Sequence, residues 1–266
     1  MVRRWFYGRD NMAFATKRFM TRTTPVRSAI DRLLREWQGR RKPGPARLAL
    51  EPMEPRLLLS ADLPVDLTTT ADPDADQKIV IQRVDDEIQV YDQLNDTVLA
   101  SGDVSELTSV TLTTGGGADR LTVDARSFDP STELLIVANL GDGSDQLIYD
   151  GDFGIDWTLD GLDSGSGTDG WLSITVAGTE NLTGGTADDN FRFEAGGGLS
   201  GLLDGGDGTD FLLGPDGDST WSISGEGAGE VAGTVAFQNV ESLGGGIGTN
   251  TLDFSALSEG VTVDLD

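Results

Sequence analysis

From Val110 onward, apolar residues stand at alternate positions in short runs, and each run is closed by glycine. Phe191-Arg192-Phe193 and Leu252-Asp253-Phe254 show the two-residue period of a strand with one face in and one face out. Between runs the chain repeats one pattern, Gly-x-Gly-x-Asp-x-apolar. Copies begin at Gly115, Gly141, Gly165, Gly185, Gly206 and Gly246, with Ala187 replacing the second glycine of the fourth and Asn250 the aspartate of the sixth. The apolar position holds Leu121, Leu147, Trp171, Phe191, Leu212 and Leu252. Three residues before each marker stand Leu112, Ala138, Leu162, Leu182, Leu203 and Leu243. A degenerate copy running from Gly225 to Val231 fills the one wide gap, so the markers step by 26, 24, 20, 21, 19 and 21 residues.

This spacing predicts an all-β fold, a parallel β-solenoid with coils of about 20 residues over residues 110–266. A coil of that kind buries its apolar face only against its neighbours. Equivalent Leu, Phe and Trp side chains are therefore expected in columns about 4.8 Å apart. Glycine suits the bends because they need a positive φ, which residues with a Cβ reach only at a cost. The last residues, Val261-Thr262-Val263-Asp264-Leu265-Asp266, are still alternating, and the array is expected to continue beyond them.

Upstream, residues 78–109 carry Ile79-Val80-Ile81, Ile88-Gln89-Val90-Tyr91 and Val98-Leu99, separated by the turn residues Asp85-Asp86 and Asn95-Asp96. They predict short antiparallel hairpins that cap the first edge of the solenoid. Residues 48–77 are proline-interrupted and then rich in Thr and Asp, an extended segment and flexible junction. Residues 1–47 form a basic leader, largely disordered, with one helix. Thr24 caps that helix, Pro25 suits its first turn, Val26, Ile30, Leu33, Leu34 and Trp37 share a face, and Gly39 ends it. No stretch reaches the 18 or so apolar residues that a membrane span requires.

Charge sharpens this division. The net charge of -26 combines 14 Lys and Arg against five acids in residues 1–56, a balance of +9, with five against 40 in the remainder, a balance of -35. The acidic body repels nucleic acid and anionic membrane and attracts cations. With no Cys and no His, disulfides, thiolate chemistry, histidine general-base catalysis and ordinary zinc sites are excluded. No lysine follows Lys78, so there is no P-loop. Carboxylate pairs abound, but nothing in the sequence marks one as desolvated and poised for glycoside hydrolysis.

Two resemblances bear on function. The string Leu50-Glu51-Pro52-Met53-Glu54-Pro55-Arg56-Leu57-Leu58-Leu59-Ser60-Ala61-Asp62 resembles the LEPR-XLL motif, with Met53 in place of the motif's first Leu. That motif stands near the N-terminus of very large repetitive bacterial surface or secreted proteins. The resemblance implies an exported product, secreted or at the bacterial cell surface, with the leader engaging the export machinery. The glycine turns resemble RTX nonapeptides, Gly-Gly-x-Gly-x-Asp-x-apolar-x, which bind Ca²⁺ in a β-roll. Residues Gly205 to Leu213 match in full. By that resemblance Asp210 is a calcium ligand, with the carbonyls of Gly206 and Gly208 and the neighbouring Asp207. Asp145, Asp169, Asp189 and Asn250 hold the ligand place in imperfect copies. RTX coils carry two binding turns and these carry one, so weak binding on one side of the solenoid is expected.

The expected function is non-enzymatic: a structural or adhesive segment of an exported repeat protein, adhesin-like, with calcium and cell-surface glycans or other cells as partners. Nucleic acid is not among them. The competing expectation is a carbohydrate-active enzyme or carbohydrate-binding module on a β-helix. Exposed aromatics around Trp157, Trp171 and Trp221 would favour that reading, and burial of those rings would count against it.

Overall fold

The structure is a computed structural model that describes residues 61–258. The basic leader with its helix, the LEPR-XLL-like string up to Ser60 and the run Val261–Asp266 lie outside the described residues. The described chain is all-β, with one 3-10 turn at Ala125–Ser127. No helix among the described residues is long and apolar enough to cross a membrane.

In chain order the strands begin with β1 (Ala61–Asp66), β2 (Lys78–Val84), β3 (Glu87–Asp92), β4 (Thr97–Asp103), β5 (Leu107–Thr113), β6 (Arg120–Val123) and β7 (Leu134–Asn139). Next come β8 (Gln146–Tyr149), β9 (Asp156–Gly161), β10 (Ser164–Thr168), β11 (Leu172–Ala177), β12 (Asn181–Thr183), β13 (Asn190–Phe193) and β14 (Leu202–Asp204). The last are β15 (Phe211–Leu213), β16 (Ser219–Gly225), β17 (Ala228–Val231), β18 (Val235–Gln238), β19 (Ser242–Gly244) and β20 (Asn250–Asp253).

They form two large sheets. One has nine strands in the order β1-β5-β7-β11-β10-β9-β13-β15-β19, the other eleven in the order β20-β16-β17-β18-β14-β12-β8-β6-β2-β3-β4. From β5 onward the chain passes from one sheet to the other and back, apart from two excursions that stay within a sheet, β9-β10-β11 and β16-β17-β18. Pairing is antiparallel inside these excursions and inside β2-β3-β4, and parallel everywhere else. The predicted hairpins are thus present, and Asp85 and Asp96 take positive φ at their tips. They also continue the eleven-stranded sheet, because β2 pairs in parallel with β6.

Parallel register stacks like on like. In the eleven-stranded sheet Leu121, Leu147, Leu182, Leu203 and Phe237 are successive partners, and all are buried. In the nine-stranded sheet Trp157, Phe191 and Leu212 form a second buried column, and Val110, Ile136 and Ile174 a third. These side chains belong to one continuous apolar core between the sheets.

The spacing differs from the expected 20 residues. Partners in the first column are 26, 35, 21 and 34 residues apart. The two long steps contain the hairpin excursions. Two apparent repeat copies are in fact parts of those excursions. Gly165 and Gly167 lie inside β10, and a Cβ on Gly167 would fall 2.7 Å from Cε3 of Trp157, so this glycine makes room for a ring instead of a bend. Leu162, the expected inward anchor of that copy, is 67% exposed. The degenerate copy from Gly225 is the β16–β17 hairpin. The junction ahead of β2 also differs from a flexible linker. The N–H of Gly116 donates to the carbonyl of Pro73, and that of Arg120 to the carbonyl of Gln77.

Candidate functional site

The glycine turns stack on one another as the strands do, and their acids sit at the contacts. In one stack the N–H of Gln77 donates to Asp119 Oδ1 (2.7 Å), that of Asp119 to Asp145 Oδ1 (2.7 Å) and that of Asp145 to Glu180 Oε2 (2.6 Å). In a second stack the N–H of Ile155 donates to Asp189 Oδ1, that of Asp189 to Asp210 Oδ1 and that of Asp210 to Glu241 Oε2, each at 2.8 Å. The carbonyls of the same aspartates face the following turn. Gln146, Asn181, Phe211 and Ser242 donate to Asp119, Asp145, Asp189 and Asp210 at 2.8–2.9 Å. One aspartate therefore joins three successive turns, through its carboxylate on one side and its carbonyl on the other.

A second, exposed row runs the opposite way. Asp76, Asp188 and Asp218 accept the N–H groups of Ala118, Thr209 and Thr249, each at 2.8 Å. These contacts require close approach of turn backbones. At Gly141 (φ +87) a Cβ would lie 1.8 Å from the carbonyl oxygen of Gly115.

Asp119, Asp145, Asp189 and Asp210 are buried. Burial is the first cause that pushes three of them, Asp145, Asp189 and Asp210, up to about 6. The carboxylates around them add to the rise: Asp119, Glu180 and Asp142 beside Asp145, Asp188 and Asp156 beside Asp189, and Asp189, Glu241 and Asp188 beside Asp210. The N–H donors pull back. Asp189 Oδ2 accepts the N–H of Gly185 at 2.8 Å, whereas the second oxygens of Asp119, Asp145 and Asp210 have no partner.

The expected calcium residues are thereby sorted. Asp145, Asp189 and Asp210 hold equivalent places in the two stacks. Gly206 and Gly208 take positive φ in the Asp210 turn, and Asp207 is exposed at its tip. Asn250 occupies the matching place in an exposed turn, where its side-chain amide donates to the carbonyl of Gly246. Asp169 stands apart. It closes the β10–β11 hairpin, accepting the N–H groups of Trp171 and Leu172 and the hydroxyl of Tyr149 (2.7 Å), which raises the Tyr149 pKa together with burial, the larger cause. The stacked turns lie on both connections between the sheets, not on one side.

Tested against Ca²⁺, the fit is partial. The unpartnered oxygens of Asp145 and Asp210 are what a cation would take, while the other oxygen of each is held by an N–H donor. Among the described residues no three acids converge as a metal-ligating group. The sequence reading singles out neither Asp119 nor the glutamates Glu180 and Glu241. Their signal is an acid two positions before an inward apolar residue: Asp119-Arg120-Leu121, Glu180-Asn181-Leu182 and Glu241-Ser242-Leu243. In the two shorter turns the longer glutamate reaches the N–H that an aspartate reaches elsewhere.

Comparison with protein-family models, with curated proteins and with solved structures finds no match for this chain.

Proposed function

We propose that the chain is a non-enzymatic structural segment, a parallel β-solenoid that serves as a stiff, acidic spacer or adhesive surface in an exported bacterial repeat protein. The observation that carries this reading is the pair of carboxylate stacks. The buried acids of the glycine turns are engaged with the backbone of neighbouring turns, and their charge is used for holding layers together. Trp157 and Trp221, at 1% and 2% exposed, are core residues, which weighs against the carbohydrate-active reading. Surface location rests on the LEPR-XLL resemblance alone. Protease shaving of intact cells that express the full chain tests it: loss of the 61–258 epitope from whole cells is expected, and full protection would overturn the export reading.

Calcium belongs to the same proposal, as a stabiliser of turns that already stack. Sites of the extracellular class, with Kd on the order of 10⁻⁴–10⁻³ M, stay empty in the cytosol and fill outside. Millimolar Ca²⁺ is expected to raise the Tm, and equal Mg²⁺ to raise it less. A Tm unchanged by Ca²⁺, with no heat of binding, would remove the metal and leave the spacer.

A further inference from the structure

Most aromatic rings of the described body are in the core, but one pair is not. Phe153 is 48% exposed, and its ring meets the part-buried ring of Trp171 at 4.8 Å and 66°, edge to face. Trp171 is presented at the tip of the β10–β11 hairpin, with its N–H tied to Asp169 Oδ1 at 2.9 Å. Phe153 follows Asp152 in the turn after β8. Carboxylates surround the pair. Asp150 and Asp152 share the one nearby cation, Arg126, which also reaches Thr186, and Asp169 holds the hydroxyl of Tyr149. Three acids against one guanidinium leave the patch negative. That guanidinium is already committed to Asp150 and Asp152, the side chain nearest the rings in sequence being Asp152.

We infer that the Phe153–Trp171 pair is a docking point for an arginine- or lysine-bearing extended peptide of a partner protein. A guanidinium or ammonium lies favourably over an indole or phenyl face, and each such contact contributes about 0.5–2 kcal/mol according to its desolvation. Unneutralised carboxylates beside the rings attract the same cations and speed their encounter. A neutral sugar would also stack on these rings. It would need free hydrogen-bonding groups beside them, and Asp150, Asp152 and Asp169 are already engaged. The charge therefore selects a cationic ligand. This inference does not depend on the solenoid reading, because it uses one turn and one hairpin.

Calorimetric titration of the full chain with an oligo-arginine peptide tests it, with chito-oligosaccharide and a neutral cello-oligosaccharide as parallel probes. Phe153→Ser combined with Trp171→Leu is expected to weaken peptide binding at least about fivefold, the size of one cation–π contact. Asp152→Asn, which leaves both rings, is expected to weaken it less and to flatten its salt dependence. Glu106→Gln, an exposed acid elsewhere on the body, is expected to leave it unchanged. Peptide binding that is the same in the ring variant as in the wild type would reduce the patch to general negative charge and overturn the inference. Tighter binding of either oligosaccharide than of the peptide would overturn it as well, in favour of a sugar platform.

Discussion

An aspartate two positions before an inward-facing apolar residue performs two tasks at once in this chain. Its carbonyl belongs to the parallel ladder, and its carboxylate closes an N–H group in the neighbouring turn. Removing the carboxylate leaves that buried N–H without an acceptor, which costs about 1–3 kcal/mol. Asp210→Ala, which orphans the N–H of Asp189, is therefore expected to destabilise by that amount in urea unfolding. Asp210→Asn, which keeps one acceptor oxygen, is expected to lose much less. The same residues set the response to pH. Asp145, Asp189 and Asp210 hold a proton up to about pH 6 in the folded chain, against an ordinary value of 3.8. The folded state binds more protons across that interval, so stability rises as pH falls from 7 through 6 toward 4. Asp103, Asp152 and Asp253 are held low by their hydrogen bonds, with Ser105, Arg126 and Ser255 respectively, and act in the opposite sense at more acid pH. Thermal melts across that range are expected to show the rise, and the triple variant with Asn at 145, 189 and 210 to flatten it.

At the scale of elements, glycine has two unrelated duties here. In the stacked turns it permits backbone to touch backbone, so Gly141→Ala is expected to lower stability by more than Gly170→Ala. Both positions have positive φ, but a Cβ at Gly170 meets nothing within 4 Å. Paired chemical denaturation curves check this. In β10 glycine instead leaves space for Trp157, whose truncation to Ala is expected to cost about 3–5 kcal/mol. This double use explains what the sequence discloses. Strand alternation, the hairpin turns at Asp85 and Asp96 and the inward Leu and Phe positions are local properties, and they are legible. Gly165-Ser166-Gly167-Thr168-Asp169-Gly170 spells a repeat turn because a hairpin tip also favours Asp-Gly, and only the ring of Trp157 across the strand separates the two cases. The period of about 20 was misleading for the same reason, since the hairpins have nearly the length of a coil. The site was half legible. Asp145, Asp189 and Asp210 share one place, but their N–H partners come from residues 21 to 35 positions away, a pairing that no local pattern encodes.

At the scale of the whole molecule the dominant fact is charge. A net -26 opposes compaction, and screening relieves it within a Debye length of about 8 Å at physiological salt. Stability is expected to rise with NaCl concentration in urea titrations, with Arg126 and its acids contributing little to the trend. The two antiparallel excursions carry a consequence of their own. Each inserts a pair of strands, an out and a back, so the chain re-enters its sheet pointing the way it left, as β11 does on β7 and β18 on β14. A single added strand would reverse every layer after it and turn the later acids away from the N–H groups they serve. Length variation in such a chain is thus quantised by parity: whole hairpins can be gained or lost at the layer boundaries without disturbing the layers downstream, and half a hairpin cannot.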